Sequence, residues 1–180
     1  MPSIGNISFE NPLLLGPMAG VTDSAFRTIC RQEGAAGSYT EMVSAKALLY
    51  QDKKSRQLLF ISPEEHPCGV QIFGSEPEVC AQAAQLALEI SGADFVDINM
   101  GCPMPKITGN GEGSALMRNI PQAEKLIRAV RQAVQVPLTV KFRKGYEADE
   151  DTCVEFGRMA QACGVDAVCG HGRTRQQMYA

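Results

Sequence analysis

A chain of 180 residues, 44% apolar and 21% charged, is long enough for one domain with its own core and has an ordinary globular composition. The formal net charge of -3 supplies no overall positive field that would advertise a nucleic-acid partner, although a local basic groove is compatible with an acidic total. The seven cysteines include no C-x-x-C pair, which argues against a zinc knuckle or a dithiol redox motif, and their odd number argues for a reducing compartment.

The first residues lack a basic stretch followed by an apolar core, so no signal peptide is read there. No apolar run reaches the roughly 20 residues needed to cross a bilayer. The expectation is a cytoplasmic protein with no membrane partner.

Along the chain, short apolar runs alternate with amphipathic stretches. The first strand is expected at 13–17, followed by a helix at 23–33 that ends at Gly34, with Thr22 or Asp23 as its N-cap. A strand at 38–42 and a helix at 45–50 come next, then a strand at 69–73. Ser75 and Glu78 have the spacing of a capping box, with Pro77 in the first turn, and this helix runs to about residue 90 and stops at Gly92.

A strand at 95–99 leads into a glycine-punctuated loop through Gly109, Gly111 and Gly113, which reads as a mobile lid; no Gly-Lys-Ser/Thr follows to make it a phosphate loop. A helix at 121–134 places Leu126, Ile127, Val130 and Val134 on one face. The last elements are a strand at 137–142, a helix at 150–163 and a strand at 165–170.

Six strand-then-helix units with near-continuous apolar strands predict a parallel sheet buried on both faces. Either an open doubly wound sheet or a (β/α)8 TIM barrel satisfies that pattern. The barrel is favoured because Gln71, Asn99, Lys141 and His171 each fall near the carboxyl end of a different strand, ends that converge on one mouth in a barrel. Eight units usually take about 250 residues. The expectation is therefore a partial barrel over 1–180, truncated after about the sixth strand.

Among the thiols, Cys102 stands apart. It follows a buried strand in Asp97-Ile98-Asn99-Met100-Gly101-Cys102-Pro103, whereas Cys30, Cys80 and Cys153 lie on helices and read as packing residues. Lys141 and Arg143 share one side of their strand, and a lysine inside a parallel barrel is costly to bury unless it meets an anion or an electron-rich ligand. His171 begins His171-Gly172-Arg173-Thr174-Arg175, whose arginines are either solvated loop charges or contacts to phosphate.

These segments, with Pro17-Met18-Ala19-Gly20-Val21-Thr22-Asp23, Thr40-Glu41-Met42, Gln71-Ile72-Phe73-Gly74, Gly113-Ser114-Ala115-Leu116 and Val140-Lys141-Phe142-Arg143, occur in the order and approximate spacing of the tRNA-dihydrouridine synthases. The chain resembles that family over essentially its whole length, most closely its bacterial B branch. The resemblance implies an FMN and NADPH dependent reduction of a tRNA uridine, with Cys102 as the proton donor. It implies Pro17, Met18, Ala19, Gln71, Lys141 and His171 as flavin contacts, and Asn99, Arg143, Arg173 and Arg175 as contacts to substrate. It also implies a monomer, no metal, and a uracil taken out of its stack.

A free thiol titrates near ~8.5 and is mostly protonated at neutral pH, which suits an acid; serine is far too weak. Cys169-Gly170 stands where the family more usually has Thr-Val. The family's flavin-phosphate site lies on its last two strands, and a C-terminal helical domain helps hold tRNA. The 180-residue chain alone is accordingly expected to bind flavin poorly, which a yellow, monodisperse preparation with stoichiometric flavin would overturn. Other flavin barrels and a flavin-free RNA-binding remnant are the rival readings, separable by a visible absorption spectrum.

Overall fold

The computed structural model describes residues 1–177. A small antiparallel hairpin, β1 (Ser3–Ile4) and β2 (Ile7–Ser8), opens the chain. It is followed by β3 (Leu14–Leu15), α1 (Ser24–Gln32), β4 (Gly37–Tyr39), β5 (Val43–Ser44), α2 (Ala45–Leu49), α3 (Lys53–Gln57) and β6 (Cys68–Phe73). Then come α4 (Pro77–Ser91), β7 (Phe95–Met100), α5 (Pro105–Thr108), α6 (Ile120–Ala133), β8 (Leu138–Arg143), α7 (Cys153–Ala162) and β9 (Ala167–His171).

The main sheet runs β3-β4-β6-β7-β8-β9, every pair parallel, with β5 a second short segment beside β6. The order follows the sequence without reversal, so there is no switch point of the doubly wound kind. Strand alternation assigns each residue to a face. Val70, Ile72, Val96, Ile98, Leu138 and Val140 all fall on one face and share a core with α2, α4, α6 and α7. Helices on a single face of a sequentially ordered parallel sheet are the layering of a (β/α)8 barrel.

The helix signals largely hold. Leu126, Ile127 and Val130 on α6 are fully buried, each such side chain stabilising by roughly 1.5–3 kcal/mol relative to exposure. Asp23 caps α1 by accepting the Phe26 N–H at 2.9 Å, and Gly92 ends α4 in the left-handed conformation. The expected Ser75 capping box does not form. Glu76 occupies the N-cap of α4 without a side-chain bond, and the Ser75 carbonyl instead accepts Gln122 Nε2 at 2.7 Å, tying α4 to α6. The helix expected from 150 starts at Cys153, because the Glu150 carboxylate accepts the N–H groups of Tyr146 and Glu147 in the preceding turn.

The strand expected at 38–42 is interrupted. Tyr39 pairs with Gly69 and Val43 with Ile72, so the β4–β5 side carries one residue more than β6. The Thr40 hydroxyl fills the resulting gap in the ladder by accepting the Gln71 N–H at 3.1 Å. Cys80 is buried as expected of a packing thiol, whereas Cys30 and Cys153 are only half-buried.

Candidate active site at the carboxyl ends of the strands

The face away from the helices is polar in successive levels. Register places Gln71, Asp97, Thr139 and Ala167 across one level, Asn99, Lys141 and Cys169 across the next, and Arg143 beside His171 at the last. Below them Tyr39 and Phe95 meet edge to face at 5.1 Å and pack with Ile4 and Phe9, so the amino-terminal end of this face is closed by hydrophobic contacts.

The polar residues of the lower level, Gln71, Asp97 and Thr139, are buried. Asp97 accepts from Gln71 Nε2 at 2.6 Å and from the Thr139 hydroxyl. Burial pushes the Asp97 carboxyl up to about 6, against the pull of those two bonds and the field of Lys141. Burial, reinforced by Asp97, likewise drives the Tyr39 phenol upward.

Asn99 links that level to Cys102. Its Nδ2 donates to Gln71 Oε1 at 3.0 Å, and its Oδ1 accepts the N–H groups of Gly101 at 3.1 Å and Cys102 at 2.9 Å. The Cys102 carbonyl is held from the other side by Ser114, whose N–H and hydroxyl donate at 3.1 and 2.9 Å. Both polar groups of the Cys102 backbone are therefore bonded, and the half-buried side chain projects from a fixed peptide.

This close approach depends on Gly113, which has a φ of +59° and whose Cβ position lies 2.9 Å from the Cys102 carbonyl oxygen. The segment expected to be a mobile lid is thus docked structure. It forms α5 and a 3-10 helix (Gly113–Arg118), with Gly113 and Ser114 buried against Cys102. Ser114 is a site residue that sequence reasoning named only within a motif, since nothing local announces its bond to residue 102.

Arg143 is half-buried and donates to the carbonyls of Gly101 at 2.6 Å and Thr174 at 3.0 Å, joining the Cys102 loop to the segment after β9. His171 ends β9; its Nδ1 accepts the Arg173 N–H at 3.2 Å. Partial burial and the nearby charges of Arg143 and Lys141 lower the His171 pKa. Arg173 is exposed, while Arg175 at 5.4 Å and Arg118 at 5.0 Å both lie over the Tyr146 ring.

A cavity of about 430 Å³ opens on the same face, lined by Gly16, Pro17, Tyr39, Thr139, Lys141 and Cys169 among others. The volume suits a small-molecule or cofactor site. The cavity is open at Gly16 and Gly170, where a Cβ would meet nothing within 4 Å. Of the six expected flavin contacts, Pro17 and Lys141 line this cavity, Met18 and Ala19 are exposed beyond Pro17, and His171 lies further along β9. Gln71 is buried with both ends of its amide engaged. Among the described residues no cluster of His, Cys, Asp and Glu could hold a metal, and no helix is long and apolar enough to cross a membrane.

The fold and the polar strand ends define a barrel-type α/β enzyme scaffold. The family model described as "Dihydrouridine synthase (Dus)" matches residues 14–180, and the chain belongs to that family. It is 46% identical over 176 residues to the tRNA-dihydrouridine synthase B of Shewanella oneidensis, covering 98% of this chain and 54% of that protein. The same enzyme of Pseudomonas aeruginosa is 42% identical and is covered to 53%. The chain thus spans about half the length of the curated relatives it matches. Among solved structures, the carboxyl transferase domain of Rhizobium etli pyruvate carboxylase superposes with a TM-score of 0.51 at 17% identity over 87% of this chain and 26% of that one. That likeness concerns the fold alone.

Proposed function

We propose that this chain carries the catalytic face of an enzyme that reduces the C5–C6 double bond of a tRNA uridine to 5,6-dihydrouridine, with Cys102 as proton donor. The carrying observation is the fixed Cys102 peptide, bonded at its N–H by Asn99 and at its carbonyl by Ser114. Family membership and the names of the relatives support the substrate class. The residues that would hold FMN are Pro17, Met18, Ala19, Gln71, Lys141 and His171, with Pro17 and Lys141 as walls of the cavity. When bound, FMN reduced by NADPH supplies the hydride that adds to C6.

The protein's own part is positional and acidic. The thiol of Cys102 gives its proton to C5 and is left as a thiolate, which solvent reprotonates. Asn99 acts through the loop it holds, since its amide is already bonded on both sides. Arg143 joins two loops at the mouth, and the exposed Arg173 supplies positive charge there for an RNA backbone, with Arg175 held over the Tyr146 ring. The complete protein is expected to show a flavin absorption band and to form dihydrouridine in unmodified tRNA with NADPH. A colourless protein that binds tRNA without reducing it would overturn the reading.

A further inference from the structure

The polar level behind Cys102 has a direction. Thr139 and Gln71 Nε2 both donate to Asp97, whose ionised carboxylate can only accept. With Nε2 committed, Gln71 presents Oε1 to Asn99 and receives its Nδ2 at 3.0 Å. With Nδ2 committed, Asn99 presents Oδ1 beyond the strand, where it accepts the N–H groups of Gly101 and Cys102.

The oxygen and nitrogen ends of a side-chain amide have nearly the same shape, so packing alone selects weakly between an amide and its flipped form. A neighbour with a fixed hydrogen-bonding sign must make the choice. A flipped Asn99 would aim an NH2 group at two backbone N–H groups, leaving all three without acceptors and releasing the Cys102 peptide. For Asn99 the N–H groups of Gly101 and Cys102 are such neighbours on one side, whereas for Gln71 the fixed sign is that of the Asp97 carboxylate. Asp97 has no exposed surface, and it is the ionisable group to which this series of amides leads.

We infer that Asp97 is a positioning residue that, by accepting from Gln71, fixes the Gln71 amide with Oε1 toward Asn99 and so supports from behind the Asn99 amide that holds the peptide bearing the Cys102 thiol. Its functional meaning rests on the proposed role of Cys102; its geometry does not. The series crosses β8, β7 and β6 and returns to the end of β7, so it is built from side chains of three neighbouring strands.

The test compares Asp97→Leu, Asp97→Asn and Gln71→Met in the complete protein, reading amide hydrogen exchange at Gly101 and Cys102 against amides in α6. Asp97→Leu keeps the approximate volume but removes the acceptor. Asp97→Asn keeps an oxygen for Gln71 while its amino group donates to the Thr139 hydroxyl, so it rescues the series. Gln71→Met breaks the series at its centre and serves if the Asp97→Leu chain does not fold.

Exchange at Gly101 and Cys102 is expected to rise about tenfold in Asp97→Leu and Gln71→Met, with α6 unchanged and Asp97→Asn near the parent. Unchanged protection of those two amides in both disruptive variants would overturn the inference, as would an equal rise throughout α6, which marks general destabilisation. A parallel Cys102→Ala sample separates this from the functional reading. Dihydrouridine yield preserved there defeats the role of Cys102 yet leaves the exchange result to decide the inference alone.

Discussion

Two carboxylates with no exposed surface, Glu65 and Asp97, titrate in opposite directions. Burial would raise Glu65, but bonds from Arg27, Ser24 and the Ser62 N–H hold it below the usual carboxylate range. Asp97 receives only neutral donors and a distant Lys141, so burial prevails and carries it up to about 6. The first acid is compensated by a contacting cation and fastens α1 to the segment before β6. The second is left under-compensated on the face that also carries Cys102, which is where shifted groups tend to mark function.

The largest effect in this comparison comes from removing the cation. Arg27 also donates to the carbonyls of Thr22 at 2.7 Å and Phe60 at 2.6 Å, so Arg27→Leu strands a buried charge and two acceptors. Chemical denaturation should show a loss of about 3–5 kcal/mol. A loss under 1 kcal/mol would mean the pair is not compensating burial.

Next is the pH dependence, whose sign differs between the two acids. The folded Asp97 pKa of about 6 lies above its unfolded value of 3.8. Its contribution to stability is therefore fully present below 3.8 and is lost as pH rises through 6, by at most about 3 kcal/mol. Glu65 behaves oppositely: its contribution is present above its unfolded value of 4.5 and is lost as pH falls through its lower folded value. Relative to the parent, Asp97→Asn should gain stability as pH rises from 4 to 6, whereas Glu65→Gln should lose its relative disadvantage only at acid pH. Parallel stability profiles for parent and Asp97→Asn across that window would contradict the assignment.

A smaller effect is expected at Gly113. An alanine there combines a positive φ with contact against the Cys102 carbonyl, at a cost of about 1–3 kcal/mol. Thermal melts should register it, and faster alkylation of Cys102 should accompany it. The smallest is Thr139→Val, which removes one donor to Asp97 and should cost about 1 kcal/mol while raising the Asp97 pKa further.

Much of the scaffold was legible because it depends on local periodicity. The apolar strand runs, the α6 stripe of Leu126, Ile127 and Val130, and the Gly92 stop each follow from residues close in the chain. Asn99, Lys141 and Arg143 could be placed on a strand-end face for the same reason, with Cys102 in the loop just past β7. The Arg27–Glu65 pair could not, since its partners are 38 residues apart and each alone reads as an ordinary surface charge. The Asp97 series was hidden likewise: its bonds depend on the register of β6, β7 and β8, which no single strand reveals. The Ser75 box does not form because α4 takes Glu76, one residue later, as its N-cap, and the Ser75 carbonyl is bonded by Gln122, distant in sequence.

Every role proposed for the strand-end face depends on Cys102 as the acid. The measurement that tests it most directly is dihydrouridine formation by Cys102→Ala in the complete protein, alongside NADPH-driven flavin reduction in the same sample. Flavin is expected to be reduced at the parental rate while product is abolished. Product formed at the parental yield would contradict it.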